Sequence, residues 1–167
     1  MAVVEAKSAL TEEQLSLLLQ YTVEAYKTFE KLAELYLNPL SAQMFKQFAV
    51  DERETRDLLD MKIRAAGAKG VRTTLAGDLQ FQDMVEGDLS FRETTEFLIN
   101  RERTMEKKLM EWSRSAAADR NLLIYLAAAK RAHIVELERE LELIKNDRDW
   151  FKREDAEWRL VHGGKQD

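Results

Sequence analysis

Apolar residues return every three or four positions along four separate stretches of this chain, and no other feature limits its fold as strongly. That spacing lines one face of an α-helix, whereas a half-buried strand needs strict alternation. The first stripe is Leu15, Leu18, Thr22, Ala25, Phe29, Leu32 and Tyr36. The second is Phe45, Phe48, Glu52, Thr55, Leu59, Ile63 and Ala66. The third is Phe91, Leu98, Glu102, Met105, Leu109 and Trp112, and the fourth is Leu122, Leu126, Lys130, His133, Leu137, Leu141 and Ile144. One proline and six glycines leave too few turns for an all-β design, so the expected class is all-α. A length of 167 residues suits one domain with a core of its own.

Punctuation between the stripes sets the connections. Thr11-Glu12-Glu13-Gln14 reads as a capping box and opens a helix that runs to about Leu37. Asn38-Pro39 stops it, because proline donates no amide hydrogen bond and disfavours helix in the residue before it. Ser41 is the expected cap of the second helix, which ends near Gly67 and Gly70. Ser90 is the expected cap of the third. Ser115 to Asp119 make a turn, and Asp119 caps the fourth, which ends near Asn146-Asp147. Between Gly67 and Asp88 the pattern is weak, with a short helix expected around Leu79–Val85. Two joins are therefore short and the middle one is long. Short loops make antiparallel neighbours, and a four-helix bundle with one long crossover between helices two and three is the ferritin-like arrangement. Residues 1–145 form this bundle in that reading. Residues 146–167 form a C-terminal helical extension and tail, with Asp149 capping a short helix that carries Trp150, Phe151, Trp158 and Val161.

Ionisable groups interrupt these seams at mid-length. Glu52 and Thr55 are three apart on helix two, Glu102 sits in the seam of helix three, and Lys130 and His133 are three apart on helix four. Thr22 occupies the matching level of helix one. A buried charge costs several kcal/mol unless it is paired or metal-bound, so such a layer is a design feature. Di-iron and di-manganese bundles carry one: a Glu from each of two helices and a Glu-x-x-His from each of the other two.

Around these residues the chain resembles the rubrerythrin branch of the ferritin-like superfamily. Tyr21 to Ala33, with Thr22, Ala25, Phe29 and Leu32, resembles that family's first-helix motif. Phe45 to Leu59, with Phe48, Ala49, Asp51, Glu52 and Thr55, is similar to the second. Ile99 to Met105 around Glu102 resembles the third, and Leu126 to Leu137, with Lys130 and His133, the fourth. The resemblance covers roughly residues 12–145.

The resemblance implies six metal-ligand positions. They fall on Thr22, Glu52, Thr55, Glu102, Lys130 and His133, so three are kept and Thr22, Thr55 and Lys130 replace ligands. Helical angles place Glu24 well outside the stripe that holds Thr22. Four carboxylates carry about −4 and balance two divalent irons. Here two carboxylates face one ammonium and His133, which already sums to about −1 or 0 without metal. The expectation is a metal-free ion-pair layer in a non-catalytic bundle, with no cofactor. The alternatives are one iron, manganese or zinc ion on Glu52, Glu102 and His133, or a metal-dependent oxidoreductase acting on peroxide, oxygen or iron.

Composition bounds the rest. Zero cysteine excludes disulfides, iron–sulfur clusters and the rubredoxin domain that many family members carry, so any redox activity needs an external electron donor. The N-terminus lacks the pattern of a signal peptide and no apolar run is long enough to span a membrane, so a cytoplasmic protein with no membrane partner is expected. A net charge of −5 argues against nucleic acid, and the basic residues from Arg92 to Arg120 read as a solvated helix face. Tyr21, Tyr26 and Tyr36 read as packing tyrosines and His162 as a solvated tail residue. The C-terminal aromatics and the resemblance point to a homodimer.

Overall fold

The computed structural model describes residues 8–71 and 89–147. The short helix expected at Leu79–Val85, the C-terminal helix and His162 lie outside the described residues. The described chain folds into four long helices: α1 (Glu12–Leu35), α2 (Pro39–Ala66), α3 (Phe91–Ser115) and α4 (Arg120–Asn146), with a 3-10 turn at Ala117–Asp119. None of them is long and apolar enough to cross a membrane.

Local chemistry accounts for most of the boundaries. The Gln14 amide donates to the Thr11 hydroxyl (3.1 Å) and the Thr11 amide to the Gln14 side chain (3.0 Å). Ser90 and Glu93 repeat this box on α3 (3.1 and 2.8 Å). At Gly67, φ is +62°, a left-handed conformation that glycine adopts at no steric cost, and there α2 stops.

Two expected caps are corrected. Asn38, not Ser41, caps α2: its side-chain oxygen accepts from the Leu40 and Ser41 amides (2.9 and 3.2 Å). Pro39 ends the first helix yet opens the second, because its fixed φ suits a first turn where the missing donor is not needed. Ser41 is then inside α2, and its hydroxyl donates to the buried Glu140 carboxylate (3.0 Å). Asp119 stands at the cap position of α4 without capping it. Its carboxylate turns away to accept the Leu10 amide (2.7 Å) and to pair with the Lys62 ammonium.

The chief helix pairings are α1 with α2 and α3 with α4; α2 also touches α4. The ends fix the directions. Ser8, before α1, accepts a hydrogen bond from the Ala118 amide (2.9 Å), and Lys62, late in α2, reaches Asp119. One end of the molecule thus holds the start of α1, the finish of α2 and α3, and the start of α4. At the other end the Tyr36 ring meets Phe45 (4.9 Å) and Phe91 (4.6 Å), and Ser41 meets Glu140. So α2 and α3 run in the same direction. All four helices feed one core, where Phe29, Phe45, Leu59, Leu98, Leu109, Leu126 and Leu137 are fully buried. Each such side chain contributes about 1.5–3 kcal/mol by leaving water.

Candidate functional site

Halfway along the helices the apolar core gives way to charge. Glu52 of α2, Glu102 of α3, and Lys130 and His133 of α4 are each at most 3 % exposed. The three-residue spacing on α4 puts Lys130 and His133 on one face. The Lys130 ammonium donates to Glu52 Oε1 and lies 3.5 Å from Glu102 Oε2. His133 Nδ1 is 3.2 Å from Glu102 Oε1 and 3.9 Å from Glu52 Oε1. Its Nε2 is 2.9 Å from Asp51 Oδ2. From α1, the Tyr21 hydroxyl donates to Glu102 Oε2 (3.1 Å), and the Lys130 ammonium sits 5.0 Å from the centre of the Tyr21 ring. Phe48 stacks on the imidazole at 4.1 Å and Phe29 meets it edge-on at 5.8 Å, so the ring is held in one orientation.

Burial pulls every one of these groups toward its neutral form, and the neighbours decide the outcome. For Lys130, burial is outweighed by the Glu102 and Glu52 carboxylates, and its pKa rises. For His133, burial is outweighed by hydrogen bonds to Asp51 and Glu102, which lift the imidazole to about 9. Glu102 is lowered despite burial, by the Lys130 charge and by hydrogen bonding from His133. For Glu52 burial prevails over Lys130, and its pKa is raised. Burial and the Glu102 charge hold the Tyr21 phenol well above its ordinary value. Asp51, about a third exposed, is lowered despite its partial burial by hydrogen bonds from His133 and Gln47. The layer thus sets two groups held toward their cationic forms, Lys130 and His133, against the carboxyl groups of Glu52, Glu102 and Asp51.

Of the six residues singled out in the sequence, Glu52, Glu102, Lys130 and His133 are brought together. Thr22 is buried, but its hydroxyl turns back to the Leu18 carbonyl (2.8 Å). Thr55 is buried nearby on α2. Glu24 stays out of the layer, as its angle requires, yet it is buried and pairs with Arg101 of α3 (3.6 Å). Arg101 therefore leaves the solvated face assigned to it. Sequence reasoning missed the roles of Tyr21 and Asp51. Each is the immediate neighbour of a residue it did single out, one position off the stripe.

The donor set can be tested against a metal. Atoms of Glu52, Glu102 and His133 lie within 4.8 Å of one another, and Glu52 Oε2 is buried with no hydrogen-bond partner. Two carboxylates and an imidazole could hold one iron, manganese or zinc ion. The ammonium of Lys130, bonded to Glu52 and beside Glu102, stands against it. So does the charge on His133, since an imidazole must be neutral to ligate. Two metals do not fit a layer with this cation in it.

On its α2–α4 side the layer borders an open cleft of about 640 Å³. Its walls include Leu40, Met44, Phe48 and Leu143, and Asp51 and His133 line it at the layer. No family model, curated protein or solved structure matches this chain.

Proposed function

We propose that this protein is a ferritin-like bundle of the rubrerythrin type in which Lys130 has taken over the charge-neutralising role of metal, and that it works as a non-catalytic scaffold. The observation that carries this reading is the Lys130 ammonium between Glu52 and Glu102. It supplies a positive charge to the two retained carboxylates, and the replaced positions Thr22 and Thr55 offer no further carboxylate or imidazole. The helix directions support the ferritin-like topology. α2, whose 28 residues span about 42 Å, and α3 start at the same end of the bundle and run the same way, as a long middle connection requires. In solution the scaffold is expected to be a homodimer.

A second reading has its own support: the orphaned Glu52 Oε2 beside Glu102 and His133 favours one divalent ion with Lys130 displaced. Metal analysis of protein purified without chelator, followed by ferrous titration, separates the two. The scaffold reading expects no stoichiometric metal and no peroxide or oxygen turnover above the iron blank. One tightly held ion per chain would transfer the case to the second reading. Two irons per chain would overturn both.

A further inference from the structure

The α2–α4 cleft begins where the chain leaves α4. Leu40 lies in the first turn of α2 and Leu143 in the last turn of α4, so both stand at one end of the cleft. From there Met44 and Phe48 continue the apolar wall of α2 at four-residue spacing, and Asp51, Ala132 and His133 close the far end. The run from Leu40 to Asp51 is about 16 Å along α2, and so is the run from Leu143 back to Ala132 along α4. An open groove of this length with apolar walls is the shape that accepts one face of a helix.

Helix α4 stops at Asn146, and Asp147 leaves it extended (φ −141°, ψ 104°). The sequence that follows carries Trp150, Phe151, Trp158 and Val161 on one face of the helix expected from Asp149. As a helix, Trp150 to Val161 also covers about 16 Å. Asp147 to Asp149 make a loop of sufficient length to turn the chain back, since antiparallel helices are joined by about two to five residues. Returning along the cleft from that loop, Trp150 and Phe151 come level with Leu143 and Leu40, Trp158 with Phe48 and Glu136, and Val161 with Asp51 and Ala132. Glu154, four residues from each tryptophan and on the same face, comes level with Arg139. The Arg139 guanidinium is exposed and has donors beyond the one given to Glu136 (2.7 Å).

We propose that residues 149–161 of this chain fill the α2–α4 cleft as a helix antiparallel to α4, with Trp150, Phe151 and Trp158 laid against Leu40, Met44, Phe48 and Leu143. Large aromatic side chains bury about 150–250 Å² each, so three of them give such a segment a strong apolar anchor. The segment then covers the side on which Asp51 and His133 line the cleft, and shuts water off from the charged layer there. The proposal is independent of how that layer is neutralised.

The chain has no cysteine, so engineered pairs report on this contact without background. In the full chain, Ala132→Cys with Val161→Cys is expected to be bridged within one molecule by a short bismaleimide. Thr104→Cys with Val161→Cys is the control, because Thr104 is exposed near the same level in the groove between α1 and α3. It is expected to be bridged at least about tenfold more slowly, the local concentration of the second thiol being lower there. Trp150→Ser with Trp158→Ser is expected to uncover the cleft, so that binding of the neutral dye Nile red rises at least about fivefold over the native chain. Circular dichroism confirms that the bundle of each variant is folded. A native chain that binds the dye as well as the double variant, or bridging no faster at Ala132 than at Thr104, would overturn the proposal. So would bridging that joins two chains, seen as a dimer band on a denaturing gel, since the occupant would then come from a second copy.

Discussion

Lys130→Met removes the ammonium of the layer and keeps most of the side chain's volume, so it tests charge rather than packing. In the native layer this group is buried, bonded to Glu52 and 3.5 Å from Glu102. Without it, two buried carboxylates are left with the single charge of His133 close by. Removing one partner of a buried ion pair costs about 3–5 kcal/mol, because the other charge stays out of water. Glu52, already raised, takes up a proton first and limits the loss in acid. The full cost is therefore expected near pH 8 and a smaller one near pH 5. For a domain of this size, it lowers the melting temperature by roughly 10 °C. Lys130→Met combined with Glu52→Gln removes the stranded charge and is expected to recover about 2 kcal/mol of the loss. Urea unfolding followed by far-ultraviolet circular dichroism, with a chelator present, measures all four corners of the cycle. A single variant that loses less than about 1 kcal/mol, or a double variant no more stable than the single, would refute the reasoning.

His133 carries a pH signature. With its pKa raised from 6.5 to about 9, its contribution is complete below 6.5 and is lost as pH climbs through about 9. Unfolding free energy is expected to fall by about 3 kcal/mol across that window, and the fall should vanish in His133→Gln. Asp119→Ala strands the Leu10 amide and the Lys62 ammonium; a loss of about 2–3 kcal/mol and faster hydrogen exchange at Leu10 are expected. Restoring the replaced ligands with Thr22→Glu, Thr55→His and Lys130→Glu together is expected to confer stoichiometric iron binding in a ferrous titration. No uptake by a folded triple variant would mean that the helices no longer hold metal-binding distances.

The helices were readable because their signals are local. A stripe, a capping box or a closing glycine involves residues within about a turn of one another. The four charged members of the layer were readable for a related reason: a charge inside an apolar stripe has nowhere to go but inward. What stayed hidden depends on residues far along the chain. Asp119 has the chemistry of a cap, yet its carboxylate is claimed by a backbone amide 109 residues away. Glu24 lies off the stripe of its own helix, yet it is buried beside Arg101 of α3. Tyr21 and Asp51 are placed by the turn of their helices toward a neighbouring helix, which one-helix periodicity does not describe. Ser41 was displaced because a proline that ends one helix can begin the next.

The helix directions have a consequence for how the molecule comes together. The pairing of α1 with α2, and of α3 with α4, needs only a short turn, so each half can form from nearby residues. The contact between His133 and Glu102, 31 residues apart, belongs to the second half alone. Those from Lys130 to Glu52 and from Tyr21 to Glu102 span 78 and 81 residues and close only when the halves meet. Before that moment the first half offers the carboxylates of Glu52 and Asp51, and the second carries Lys130 and His133 against Glu102. The layer that neutralises itself in the finished protein is therefore complete only where both helix pairs are present.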